Sequence, residues 1–220
     1  MSGGQLHVIV SPERWLDLGA CELAREVALG GADRIHLRAP DLSTSRALEL
    51  GEELLAGIGG TESCGVVVND RIDLAAALGI RSIQLPERSF EPPVARALLE
   101  EEFGLAPVEV GASRHDAAGV AAAIEAGADW VFLGHIFPTA SHRGAPPLDR
   151  SGAAASIAAA GTVPIVAIGG VDEGVIDEVL RMGFSGVAVQ GAVFGPSEPR
   201  RSIGAIREAL DRGERTKGRA

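Results

Sequence analysis

The sequence predicts an α/β protein folded as a single (β/α)8 TIM barrel, and three observations carry that prediction. Short apolar runs alternate strictly with helical patterns, eight times along the chain, which implies parallel strands joined by right-handed crossovers. The 220 residues lie at the small end of the range for this barrel, and 46% of them are hydrophobic, enough for one large core. Glycines cluster where the seventh and eighth strands end, in Gly169-Gly170 and Gln190-Gly191. An open doubly wound sheet is the runner-up, but no linker divides the chain into two subdomains.

The elements follow in order. A first strand at 6–10 is turned by Ser11-Pro12 into a region holding a helix at 18–29. Gly30-Gly31 breaks the chain before a strand at 34–38, and Ser43 is the candidate N-cap of a helix at 44–56. The third strand spans 65–69 and its short helix 70–78; the fourth spans 82–85 and stops at Pro86. A helix at 93–102 leads to a strand at 107–111, and a helix at 116–126 leads to the apolar run 130–134. A helix at 151–160 precedes a strand at 163–170, a helix at 173–182 precedes a strand at 185–191, and a last helix covers 200–211. The barrel domain is therefore expected over 1–211, with a polar, frayed tail at 212–220.

Composition narrows the function. Twenty basic residues against 30 acidic ones give a net charge of −10, which argues against a nucleic-acid surface. No basic segment leads into an apolar core at the N-terminus, and no apolar run approaches the roughly 18 residues of a membrane span. A cytoplasmic protein with no membrane partner is expected, and the sequence leaves room for a homo-oligomer. Cys21 and Cys64 have neither metal-ligand nor disulfide spacing and read as core or boundary residues.

In a barrel of this kind the chemistry sits at the C-terminal ends of the strands. The run Trp130-Val-Phe-Leu-Gly-His-Ile-Phe-Pro-Thr139 delivers His135 to such an end, the one side chain there that moves a proton near neutral pH. Arg38, Gln84 and Ser113 fall at the ends of strands two, four and five. Gly169, Gly170, Gln190 and Gly191 fall where many barrels bind phosphate through backbone amides. His7, His36 and His115 lack a metal-ligand pattern and read as structural.

Arg34-Ile-His-Leu-Arg38, Val67-Val-Asn-Asp-Arg-Ile-Asp-Leu-Ala75, Gly111-Ala-Ser113, Pro164-Ile-Val-Ala-Ile-Gly-Gly170 and Gly186-Val-Ala-Val189 together resemble the thiamine-phosphate synthase superfamily, in matching order over about residues 6–194. Two departures from the synthases point to the TenI-type thiazole tautomerase branch. Gln84-Leu-Pro-Glu-Arg-Ser89 stands where the synthases carry a magnesium-holding aspartate. Gly134-His135 stands where they carry Gly-Pro.

The resemblance to that branch implies an isomerase of thiamin biosynthesis. It would convert a carboxylated dihydrothiazole ethyl phosphate to the aromatic carboxythiazole phosphate, with no cofactor and no metal. His135 would be the catalytic acid/base. Arg38 would grip the substrate carboxylate or phosphate, Gln84 and Ser113 would bond around the ring, and Gly169, Gly170, Gln190 and Gly191 would hold the phosphate. His142 and Arg143 would close over the ligand or stand in solvent. The alternatives are the magnesium-dependent synthase itself, coupling a thiazole phosphate to a pyrimidine diphosphate, and a non-catalytic phosphometabolite-binding protein.

Overall fold

Eight parallel strands close on themselves in sequence order, each followed by a helix on the outside. The structure is a computed structural model and describes residues 4–10, 18–59, 64–139, 144, 146–191 and 198–217. The strands are β1 (Gln5–Val10), β2 (Arg34–Leu37), β3 (Gly65–Asn69), β4 (Ser82–Leu85), β5 (Glu109–Arg114), β6 (Trp130–Gly134), β7 (Ile165–Ile168) and β8 (Gly186–Val189). The helices are α1 (Ala20–Leu29), α2 (Thr44–Ile58), α3 (Ile72–Leu78), α4 (Pro92–Ala97, continued by a π-turn over Leu98–Glu102), α5 (Ala117–Glu125), α6 (Arg150–Ala160), α7 (Ile176–Met182) and α8 (Pro199–Lys217). The single (β/α)8 barrel expected from the alternation is therefore the fold.

Local chemistry explains the boundaries. Ser43 caps α2 by accepting the Arg46 N–H at 3.4 Å, and Asp116 and Asp149 cap α5 and α6 in the same way. Strand β5 begins two residues later than the apolar pattern suggests and runs on to Arg114, because its pairing partner β6 also continues to Leu133. Helix α8 continues past Asp211, where the apolar spacing ends, to Lys217.

The strands are buried on both faces, which is why they read as unbroken apolar runs. Outward-facing residues such as Val8, Ile35, Val68, Ile83, Val110, Val131 and Val187 pack under the helices in the main core. Inward-facing Ile9, Val67, Trp130, Phe132, Val166 and Ala188 form a second, separate cluster inside the barrel. Gly111 makes room for the largest of these: a Cβ there would stand 2.2 Å from the Trp130 ring.

That interior also holds polar groups that find one another. Arg34 stacks over the Trp130 ring, 4.7 Å from its centroid, and pairs with Glu109 at 2.8 Å. Trp130 Nε1 donates to Gln84 Oε1 at 2.7 Å, and Gln84 Nε2 donates to Ser113 Oγ at 2.9 Å. His7 Nδ1 and His36 Nε2 share a hydrogen bond of 2.9 Å, and neither residue is exposed to solvent.

Burial, reinforced by the neighbouring His36 and Arg34, pushes the His7 imidazole well below the ordinary range. Burial likewise pushes His36 from its usual 6.5 down to about 3, against the opposing pull of its bond to Asn69. The unfolded chain therefore takes up protons on both rings below about pH 6.5 that the folded chain refuses. Their contribution to stability is complete above that pH and is lost as the pH falls from 6.5 toward 3. We expect each ring to add a slope approaching about 1.4 kcal/mol per pH unit within that window. Urea unfolding of the wild type and of His36→Gln between pH 7 and 4.5 checks this: the variant should show the shallower decline. Equal slopes would mean that His36 is protonated in the folded barrel.

Candidate functional site

The C-terminal rim is built from strand ends, and β3 and β4 supply its acidic corner. Asp70 follows β3 with a left-handed backbone, φ 68°, a conformation that non-glycine residues adopt seldom and that aspartate tolerates better than most. Its own amide donates to Gln84 O at 2.9 Å, tying the turn to β4. The Ser89 hydroxyl donates to Asp70 Oδ1 from the loop after β4. Asp70 is thus presented at the rim with one oxygen held by the serine that the sequence places where the synthases carry an aspartate. Among the described residues no group of three or more His, Cys, Asp or Glu is arranged to hold a metal ion by itself.

The rim arginines differ in their freedom. Arg71 is committed to Asp73 at 2.6 Å and to Thr44 Oγ1 at 2.8 Å. Arg114 is buried, donates to Ser113 O at 2.9 Å and lies 3.9 Å from Glu91. Arg38 is exposed at the end of β2 and forms no hydrogen bond or ion pair with a described residue. Of the three it is the one placed to bind an anion.

Gln84 and Ser113 lie together below the rim. Gln84 is 1% exposed, and both ends of its amide are used, one by Trp130 and one by Ser113. Gln84 therefore reaches the rim only through the half-buried Ser113.

His135 sits at the top of β6, 8% exposed. Its carbonyl accepts the Leu148 amide at 2.9 Å, and the segment stays in sheet register beyond it, with Ile136 N and Phe137 N donating to Ile168 O and Gly169 O at 3.0 Å. That continued pairing brings β7 against the loop, and Gly169 and Gly170 permit it. Cβ atoms at these two positions would lie 2.3 Å from His135 Cβ and 2.5 Å from Pro138 O, and both residues have positive φ. At the next strand end Gln190 is half-buried and Gly191 exposed, with no described residue within 4 Å of the position of its missing Cβ.

Residues 192–197 and the pair His142 and Arg143 fall outside the described residues. The turn before α7 carries its own anion, because Asp172 accepts the Gly174 amide at 2.9 Å. One amide at the start of α7 is therefore already taken.

Two histidines set aside as structural touch the rim. His36 Nδ1 lies 2.9 Å from Asn69 Oδ1, next to Asp70. His115 Nδ1 donates to Gly134 O at 2.5 Å, bracing the peptide that leads into His135, while its Nε2 lies 3.7 Å from Glu87. Polar residues at alternate positions, Gln5 and His7 in β1 and Arg34 and His36 in β2, mark these side chains as inward-facing but not which of them meet.

Comparison with known proteins places this geometry. The family model described as thiamine monophosphate synthase matches residues 6–193. The thiamine-phosphate synthase of Thermus thermophilus is 32% identical over 208 residues, covering 94% of this chain and 97% of that protein. The enzyme of the same name from Moorella thermoacetica is 34% identical over 211 residues, covering 94% and 96%. Among solved structures, thiamine phosphate pyrophosphorylase from Pyrococcus furiosus superposes with a TM-score of 0.80 at 28% identity, covering 95% of this chain and 96% of that one.

These findings overturn the isomerase assignment. Relatives alike along the whole length carry the synthase name, and the two departures that favoured a tautomerase are confined to single positions. Loss of one carboxylate leaves Asp70 displayed at the rim with a hydroxyl beside it, and a histidine near a strand end does not by itself define a proton-transfer site.

The glycines yield a test that separates packing from binding. Gly169→Ala must push His135 aside in a conformation that costs an L-residue about 1–2 kcal/mol, and should lower the melting temperature by several degrees. Gly191→Ala should leave the melting temperature unchanged while weakening the binding of a phosphate ester, by capping the open approach to its amide. Undiminished phosphate-ester binding by Gly191→Ala would remove this corner from the site.

Proposed function

The chain belongs to the thiamine monophosphate synthase family, and from that premise we propose that it is a transferase joining a thiazole phosphate to a pyrimidine diphosphate to give thiamine phosphate. The observation that carries this proposal is full-length similarity to thiamine-phosphate synthases, on a barrel whose rim keeps an exposed carboxylate and an arginine unpaired among the described residues side by side in strand order.

The bond changes are simple. The C–O bond between the pyrimidine methylene and the diphosphate breaks, its electron pair leaving on the diphosphate. The thiazole ring nitrogen gives its lone pair to the same carbon, forming the C–N bond. No proton is gained or lost in that exchange, so the site needs charge stabilisation and orientation rather than a general base. Under this proposal His135 is part of the wall that shapes the thiazole side of the site.

The diphosphate would lie across the ends of β2 and β3. Arg38 offers its guanidinium fork to the phosphoryl oxygens, and the amides of Gly170 and Gly191 would take the phosphate of the thiazole. Asp70 fits a magnesium ion that arrives with the diphosphate, since such ions are usually held by one or two carboxylates together with substrate phosphate oxygens. When bound, that ion would neutralise charge on the leaving diphosphate. Ser89 would hold the second oxygen of Asp70 and keep the carboxylate turned to the rim.

Incubation with both substrates and magnesium should produce thiamine phosphate, read by oxidation to the fluorescent thiochrome, together with one pyrophosphate per turnover. Asp70→Asn should lower the rate by about 10²-fold or more, the scale of losing one preorganised electrostatic contact. Absence of thiamine phosphate at saturating substrates and magnesium would reject the transferase.

A further inference from the structure

Away from the rim, α1 and α8 bound a groove of about 870 Å³ on the outside of the barrel. Its two banks differ in charge and in shape. The α1 bank carries Glu22 and Glu26, with Leu29 standing out 46% exposed beside them. The α8 bank carries Arg200 and Arg201, followed by the small residues Gly204 and Ala205.

Two features of this groove have no cause within the described chain. Five large hydrophobic residues are exposed among the described residues, and two of them, Leu18 and Leu29, line this one concavity. Scattered singly they would be ordinary; gathered in a groove with a polar margin they mark a contact surface. The second feature is Gly204, inside the 19-residue α8, where glycine is the weakest residue for a helix short of proline. A close helix crossing justifies such a glycine at Gly57 of α2, where a Cβ would collide with the Cys21 carbonyl oxygen of α1. At Gly204 no described residue lies within 4 Å of the missing Cβ.

The groove is complementary to itself. A two-fold axis through it turns the α1 bank of one copy onto the α8 bank of the other, so that one patch serves both subunits. Leu29 then meets the gap at the partner's Gly204, and Glu22 and Glu26 meet the partner's Arg200 and Arg201. None of these four charged side chains forms an ion pair with a described residue of its own chain. Glu198 and Glu208 also line the groove, giving four carboxylates against two guanidiniums, an excess that disfavours an anionic ligand. Both are exposed, six residues before Gly204 and four after it, at the margin of the contact where salt screens them.

We propose that this groove is a docking surface for a second copy of the chain, pairing α1 and α8 of each across a two-fold axis with Leu29 of one seated on Gly204 of the other. The inference stands apart from the transferase, because the groove lies on the helical layer and shares no residue with the rim.

Sedimentation velocity over a concentration series tests it on the whole protein. The wild type should move from 22.6 kDa toward twice that mass as concentration rises. A wild type still monomeric at about 1 mM would overturn the proposal. Gly204→Met separates docking from folding: its side chain fills the gap and suits the helix better, so the melting temperature should hold or rise while the dimer dissociation constant increases about tenfold or more. The register is tested by charge. Glu26→Arg and Arg201→Glu should each weaken the dimer about tenfold, since like charges then face each other across the axis, and the double variant should recover it. Unchanged affinity in Gly204→Met, unchanged affinity in both single charge variants, or no recovery in the double variant would each overturn the proposal.

Discussion

Closing eight short strands into a barrel leaves an interior that side chains fill, with no second sheet to share its polar groups. Every inward side chain must fill its share of that volume and satisfy its hydrogen bonds from neighbours in the same layer. Trp130 supplies bulk from β6, so β5 opposes it with Gly111, and its indole N–H is taken by Gln84 from β4. The second end of Gln84 then reaches Ser113, and Arg34 covers the indole face. The upper members of these chains, Ser113 and Asn69, belong both to the core and to the floor of the rim. The placement of rim groups therefore depends on packing several residues below them.

The alternation of apolar runs with helical patterns carried the fold, because each strand is buried on both faces and each helix on one. Arg38, Asp70 and the glycines could be read as rim residues because strand ends are visible in sequence. The histidine pair could not. His7 and His36 belong to different strands, and their contact exists only through the register that sets His7 against Arg34 and Ile9 against His36. Nothing local distinguishes a histidine that bonds another from one buried alone. Likewise Gly169 and Gly170 look like a phosphate loop in sequence, yet their Cα atoms face His135 and the backbone of Phe137 and Pro138. Close approach between neighbouring strand ends accounts for both glycines whether or not phosphate binds.

The functional misreading has a related origin. Single positions at the ends of β4 and β6 do not by themselves control the chemistry. In a barrel the site is distributed over eight strand ends, and a change at one is buffered by the others. Where the resemblance implies a carboxylate, Arg88 and Ser89 stand instead, so a negative charge is removed and a hydroxyl donor introduced, whose target is the remaining carboxylate, Asp70. The substitution changes what a metal would find at that corner without abolishing the corner. Similarity distributed over all eight strands is the stronger witness, because it samples the whole distributed site.

Charge makes the same point from another side. Under the proposed function a chain of net charge −10 would bind a diphosphate and a phosphate against its own overall field, so attraction has to be local. Most rim arginines are spent on carboxylates of the barrel, Arg71 on Asp73 and Arg114 toward Glu91. Arg38 is left without an acidic partner among the described residues. Asp70 on the adjacent strand end would repel a bare diphosphate. Under the proposed function a diphosphate would settle there with a divalent cation, and Arg38 would take its outer oxygens. A carboxylate that would gain from a cation, beside a guanidinium without an acidic partner among the described residues, is the physical ground for proposing a metal-bound diphosphate at this corner of the rim.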